Sequence, residues 1–305
     1  MSETVAAVVV TYNRKQLLTE CLDALLSQTR SVDKIILIDN ASTDGTPEML
    51  KERGYLDNSV IDYVRLPENT GGAGGFHEGV KLGYESGYDW LWLMDDDAIA
   101  NKDALQNLLK NPLDENNIYG STAAKDGVLS WPMTSYPKNT RQIIHLQNNL
   151  PKTIGVYVIP FIGLLINKSL VGEIGLPEKG YFLAFDDVEY CLRARKIGAK
   201  IILVRDSLIE HPLSIRYSIW LPLRRLYSLR LAPWKRYYDV RNRIFIAKKY
   251  YGSRLFFATL PVSFLRLITT LIHEGDRVDQ IMAFIGGTID GFFSKDGRRH
   301  EKWWL

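Results

Sequence analysis

Residues 91–100 read LWLMDDDAIA: four apolar side chains run straight into three aspartates, Asp95, Asp96 and Asp97. An apolar run without polar alternation is the mark of a strand buried on both faces. Carboxylates crowded at its end repel one another, so the triplet needs a physical reason. The neighbouring sequence supplies the setting. VAAVVVTY (5–12), DKIILIDN (33–40) and DYVRLPEN (62–69) read as three further strands, each followed by an amphipathic stretch. Asn13 is placed to cap a helix through about Gln28, with Leu17, Leu18, Cys21, Leu22, Leu25 and Leu26 at helical spacing. ASTDGTPEMLKE turns into a second helix, and a third is expected near 72–86. Strands alternating with helices predict an α/β fold with a mostly parallel sheet covered on both faces.

In such sheets the ligand crevice lies beyond the carboxyl ends of the strands. The polar strand ends Thr11–Arg14, Asp39–Asn40, Glu68–Gly71 and Asp95–Asp97 are therefore expected along one edge. Further on, YVIPFIGLLINKS (157–169) reads as a strand and GYFLAFDDVEYCLRARKIG (180–198) as an apolar run entering a helix. AKIILVRDSLIEHP (199–212) reads as a strand closing on His211. These belong to the acceptor side of the same domain.

The chain has 305 residues, 46% of them hydrophobic and 24% charged, which is a folded composition with a sizeable core. Its two cysteines, Cys21 and Cys191, stand among apolar residues and read as reduced core groups in a reducing compartment. The opening MSETVAAVVVTYNR has no basic segment leading into a long apolar one, so no signal peptide is expected. Charge is uneven. Residues 1–211 hold 21 Lys and Arg against 28 Asp and Glu, whereas residues 212–305 hold 17 against 7. A basic tail on an acidic body predicts an anionic partner for the tail.

In an extended segment alternate side chains share a side, so Asp95 and Asp97 are expected together with Asp96 turned away. Two adjacent carboxylates are costly unless a cation joins them, and hard oxygen ligands suit Mg²⁺ or Mn²⁺. The alternative is a solvated acidic turn with Asp97 as a helix cap. The strand setting excludes the helical DDxxD of isoprenoid synthases. STDGT (42–46) lacks the aspartate that a haloacid-dehalogenase nucleophile needs. NTGGAGGFHEG (69–79) does not meet the dinucleotide pattern, because its sixth position from Gly72 is His77. Glycines opening a helix still admit an anionic ligand close to the backbone, or else serve tight helix packing. Asp186 and Glu189 have capping-box spacing, which leaves Asp187 in the first turn as an ionised candidate base. Alternatively, both acids only stabilise the helix start. His211 is a candidate third metal ligand, and an imidazole beside carboxylates leans towards Mn²⁺. The alternative is a satisfied turn histidine.

Taken in order, VVVTYNR, IDNASTDGT, ENTGGAGGF, MDDD, FDDVEYCLRARKIG and EHP resemble the inverting family 2 glycosyltransferases of the GT-A fold over roughly residues 4–212. The doubled glycines and phenylalanine of the third motif resemble bacterial galactofuranosyltransferases. The resemblance implies a UDP-sugar donor, UDP-galactofuranose, with Thr11, Arg14, Asp39, Asn69, Gly71, Gly72, Asp95 and Asp96 on the donor side. It implies Asp95, Asp97 and His211 as ligands of Mn²⁺ (or Mg²⁺), Asp187 as the base, and Asp186 as its neighbour orienting the acceptor. A rhamnosyltransferase using dTDP-rhamnose and an inactive nucleotide-sugar-binding module are the alternatives. The expected organisation is a catalytic domain over 1–212, its nucleotide-sugar half about 1–100 and its acceptor half about 101–212. A basic, aromatic helical region follows over 213–305.

That region contains LFFATLPVSFLRLITTLI (255–272), long enough to raise the question of a membrane span but interrupted by Pro261 and Arg266. IWLPLRRLYSLRLAPWKRYY (219–238) and KKYYGSRLFF (248–257) mix basic and aromatic residues as a membrane-surface element does. Packing on the catalytic domain or on a second copy is the alternative, and nucleic acid is not expected. A lipid-linked glycan acceptor would account for attachment to the cytoplasmic face of a membrane.

Overall fold

The computed structural model describes residues 3–110, 112–136, 142–221 and 224–305. Pro222 and Leu223, inside the basic stretch 219–238, lie outside the described residues. The chain divides into two units, Met1–Glu178 with Asp187–Leu213, and Lys179–Asp186 with Ser214–Leu305.

The first unit is built on one sheet. Its strands are β1 (Val5–Thr11), β2 (Lys34–Asp39), β3 (Ile61–Arg65), β4 (Trp90–Asp95), β5 (Ile99–Ala100), β6 (Ile118–Lys125), β7 (Val128–Thr134), β8 (Ile143–Leu146), β9 (Thr153–Gly155), β10 (Leu164–Asn167) and β11 (Ile201–Glu210). The order is β3-β2-β1-β4-β10-β6-β11-β5, with β7 beside β6, β8 beside β7 and β9 beside β11. β1 to β4 are mutually parallel, and β10 runs against both β4 and β6. β6 and β11 are parallel to each other and so share the direction of β4. The carboxyl ends of β1, β2, β4, β6 and β11 therefore lie along one edge.

Helices cover both faces: α1 (Lys15–Leu26), α2 (Thr46–Glu52), α3 (Gly71–Glu85), α4 (Ala104–Leu109), α5 (Lys168–Ile174) and α6 (Asp186–Lys196). The unbroken apolar strands follow from this double cover. Ala6, Val8 and Val10 of β1 enter a core with Phe76 and Val80 of α3 and Tyr190 and Cys191 of α6. Val5, Ala7 and Val9 enter a second core with Leu18, Leu22 and Leu25 of α1 and Leu105 and Leu108 of α4. Each fully buried leucine or valine contributes about 1.5–3 kcal/mol. The glycines of α3 set its distance from the sheet: a Cβ on Gly79 would fall 2.3 Å from Val8, and one on Gly83 2.5 Å from Leu91. Both cysteines are buried and unpaired, and burial pushes the Cys191 thiol up to about 12.

One local expectation is corrected. Asn13 does not cap α1; Arg14 occupies that position without a side-chain cap bond. Asn13 takes a left-handed φ of 53°, and its side-chain oxygen accepts from the Thr43 backbone N–H at 2.7 Å. The amide joins two loops at the sheet edge and is not available to the helix.

The second unit opens with an antiparallel hairpin, β12 (Arg216–Leu221) and β13 (Arg224–Leu229), where the sequence alone predicts helix. Three long helices follow: α7 (Pro233–Ile246), α8 (Leu260–His273) and α9 (Arg277–Phe292). α7 and α9 pack closely across glycines, since a Cβ on Gly287 would meet the Tyr237 carbonyl oxygen at 2.5 Å. Leu255–His273 is long and apolar enough, by length and composition, to cross a membrane.

Candidate active site

β4 ends at Asp95, and Asp96 and Asp97 form the turn that follows. The alternation argument needs an extended chain through Asp97, so its pairing is corrected: Asp96 and Asp97 work together. Arg14, just past the end of β1, donates to Asp96 Oδ1 at 3.1 Å and to Asp97 Oδ2 at 2.9 Å. Buried Thr11 donates its hydroxyl to Asp96 Oδ2 at 2.7 Å. One guanidinium thus relieves the repulsion between two carboxylates. Burial raises the Asp96 carboxyl above the usual range, despite Arg14 and Thr11. Burial acts the same way on Asp97, but His211 and Arg14 outweigh it and hold that carboxyl low.

His211 follows β11, and its Nε2 lies 3.3 Å from Asp97 Oδ1. That oxygen is buried and has no hydrogen-bond partner among the described residues. The other ring nitrogen, Nδ1, lies 2.8 Å from the Pro212 carbonyl, which can only accept, so Nδ1 carries the proton. In neutral His211 the Nε2 lone pair then faces a carboxylate lone pair. A cation bound between them would remove that repulsion. Histidine ligands commonly donate their second N–H to a carbonyl in this way, so the pair fits a divalent metal. Two groups that sequence reasoning missed hold His211 in place. The Ser130 hydroxyl donates to its carbonyl at 2.9 Å, and the Trp131 ring stands 4.8 Å from the imidazole. Both lie on β7, whose LSWPMT carries no clear period. Among the described residues no three His, Cys, Asp or Glu side chains gather as a metal site. Asp95, paired in register with Val10, thus does not complete a preformed trio with Asp97 and His211.

On the neighbouring strands, Asp39 is fully buried. Its carboxylate accepts from the Ser42 N–H at 2.8 Å and the Tyr63 hydroxyl at 2.7 Å. It braces the β2–α2 turn. Asn69 accepts from the Gly71 N–H at 2.8 Å, at the start of α3. Gly71 has φ +74°, and a Cβ on Gly72 would meet nothing within 4 Å, so open space lies over this helix N-terminus.

Asp186 is buried and Asp187 partly buried in the first turn of α6. Burial pushes the Asp187 carboxyl up to about 6, although Oδ1 accepts from the Val188 N–H at 2.6 Å. The dipole expectation is therefore corrected in sign: desolvation outweighs the helix start. A carboxyl in this range is matched to proton abstraction near neutral pH. Glu189 is fully buried and forms an ion pair with Arg193 at 2.5 Å, one turn further along α6.

A mostly parallel sheet flanked by helices, with acids and a histidine along its carboxyl edge, is the architecture of a GT-A glycosyltransferase. The chain belongs to glycosyl transferase family 2, whose sequence profile matches residues 6–172, and it is accordingly a glycosyltransferase. Galactofuranosyltransferase GlfT1 of Mycobacterium tuberculosis is 31% identical over 255 residues, covering 81% of this chain and 83% of that protein. The dTDP-rhamnosyl transferase RfbF of Shigella flexneri is 24% identical, covering 95% of this chain and 96% of that protein. The fold matches the mannosyltransferase PcManGT from Pyrobaculum calidifontis, solved in complex with GDP-Man and Mn²⁺. The TM-score there is 0.60 at 15% identity, over 97% of this chain and 88% of that one.

Proposed function

We propose that this glycosyltransferase moves galactofuranose from UDP-galactofuranose to a hydroxyl of a glycan acceptor, with inversion. The similarity to GlfT1 over four-fifths of both chains carries the choice of donor. The lower identity to RfbF makes dTDP-rhamnose the competing donor. Thr11, Arg14, Asp39, Asn69 and the glycines Gly71 and Gly72 form the nucleotide side, together with Asp95 and Asp96. The N-terminus of α3 and the Arg14 guanidinium suit a diphosphate.

Asp187 accepts the proton of the acceptor hydroxyl while that oxygen bonds to the anomeric carbon. The bond from this carbon to the diphosphate oxygen breaks on the opposite side, and UDP leaves with the electron pair. Asp186, next in the chain, orients the acceptor. Asp97 and His211, joined by Asp95 on metal binding, would hold Mn²⁺ or Mg²⁺, which when bound would offset charge on the leaving diphosphate.

The acceptor is lipid-linked, and the second unit lies on the anionic inner face of a membrane. Supporting this, Phe256, Phe257, Phe264, Ile268 and Ile272, and Ile281, Ile285 and Ile289 of α9, are all exposed apolar residues in a region with ten more basic than acidic groups. Release from membranes by high salt supports surface attachment; release only by detergent argues for insertion.

The donor reading is tested by offering UDP-galactofuranose, UDP-galactopyranose and dTDP-rhamnose with Mn²⁺ and an acceptor extract, and measuring nucleotide release. Turnover confined to UDP-galactofuranose is expected. Turnover confined to dTDP-rhamnose refutes the donor assignment.

A further inference from the structure

The segment leading into α6 has an unusual backbone. Phe182, Ala184 and Phe185 all take left-handed φ values, of 60°, 65° and 68°. Side chains other than glycine adopt that region at a cost, and such clusters persist only where the surroundings over-determine them. The surroundings here are one face of α7. The Asn242 side-chain amide donates to the carbonyls of Tyr181 at 3.0 Å, Leu183 at 2.8 Å and Ala184 at 2.8 Å. Its oxygen accepts from Arg241 Nε at 2.9 Å, which fixes the orientation of the amide. Arg241 spends its remaining donors on carbonyls, among them Tyr181 and Gly297, each at 2.7 Å. Both side chains are fully buried. Phe182 stacks on Tyr238 with ring centres 4.9 Å apart, and the Arg243 guanidinium lies 4.8 Å over the Phe185 ring.

A buried guanidinium and a buried amide given over to the carbonyls of one strained loop are a costly arrangement for packing alone. The loop passes directly into Asp186 and Asp187. We propose that Asn242, oriented by Arg241, is a positioning residue for the transfer reaction: it locks the left-handed backbone of Phe182–Phe185 and so fixes the start of α6, from which Asp187 projects. This rests on the assignment of Asp187 as the base.

The test uses the full chain, its preferred donor and four variants, with kcat, donor KM, UDP affinity by calorimetry and thermal stability measured for each. Asn242→Ala is expected to lower kcat roughly 10- to 100-fold, the scale of a small misplacement of a reacting group. UDP affinity should stay within about twofold, because no donor-side contact is removed. Ala184 is exposed, so it offers a gentler probe. Ala184→Val opposes the left-handed φ and should lower kcat with UDP binding kept. Ala184→Gly accepts that φ freely and should restore part of kcat in the Asn242→Ala background. Wild-type kcat in folded Asn242→Ala or in Ala184→Val overturns the proposal, as does an equal loss of UDP affinity. If Asn242→Ala fails to fold, the Ala184→Val result decides. The fourth variant, Asp187→Ala, separates the two readings: transfer surviving there overturns the base assignment, whatever Asn242 does.

Discussion

Replacing Asp187 by asparagine should abolish transfer and at the same time stabilise the protein, and the size of the gain follows from its surroundings. Burial raises this carboxyl from 3.8 to about 6 in the folded chain. At about 1.4 kcal/mol per pH unit, holding the ionised form in that position costs roughly 3 kcal/mol. The sign follows from proton binding. Between pH 4 and 6 the folded chain holds a proton that the unfolded chain has lost, so this group erodes stability as pH rises through that window. Above it the full cost is present. Asp187→Asn keeps the shape and the acceptor for Val188 but carries no charge. Its advantage should be near zero at pH 4 and grow to roughly 3 kcal/mol by pH 8, an upper bound for a partly exposed group. For a unit of this size that is a rise of roughly 5 °C or more in melting temperature. Thermal unfolding of both proteins across pH 4–8, followed by tryptophan fluorescence, measures it. In the wild type, kcat/KM should fall about tenfold between pH 7 and pH 5 as the base is protonated. An Asp187→Asn variant that is no more stable at pH 8 than at pH 4, relative to wild type, refutes the desolvation argument. Turnover in that variant within tenfold of wild type refutes the role as base.

Three further outcomes are expected. Chelation should remove transfer from the wild type, and His211→Ala should weaken Mn²⁺ binding by calorimetry at least tenfold; full activity in chelator sinks the metal reading. Gly79→Ala places a methyl 2.3 Å from Val8 and should cost about 1–3 kcal/mol in denaturant unfolding, because α3 must lift off the sheet; an unchanged midpoint would show that the contact is slack. Thr11→Val removes the buried hydroxyl donor to Asp96 and should cost about 1–3 kcal/mol while raising donor KM, and a neutral effect on both counts against a role for this bond.

The parallel half of the sheet was legible because double burial leaves strands such as β1 and β4 with no polar position before their last residue. Period alone cannot say more about shorter, irregular strands. β7 lies between β6 and β8 and β9 pairs with the distant β11, and β12–β13 is a hairpin in a stretch whose Arg, Tyr and Leu suit helix and strand alike. The candidate site was legible as a set of strand ends, Thr11, Asp39, Asp95 and His211, because topology sends parallel strands to one edge. Its internal pairing was not. Alternation assigned Asp97 to Asp95, whereas the chain turns after Asp95 and Arg14 gathers Asp96 with Asp97. The dipole at the start of α6 argued for an ionised Asp187, and burial, invisible in a list of residues, reversed the direction.

Taken by itself, the order of residues determined the fold class, the edge on which chemistry is possible and the acids and imidazole that stand there as candidates. These depend on hydrophobic period and residue type, which are local properties. The tertiary structure alone decided which carboxylate faces which cation, which way the Asp187 proton equilibrium moves, and that Asn242 grips a loop about sixty residues earlier in the chain. Those depend on distances and dielectric surroundings between groups far apart in sequence, and no local pattern encodes them.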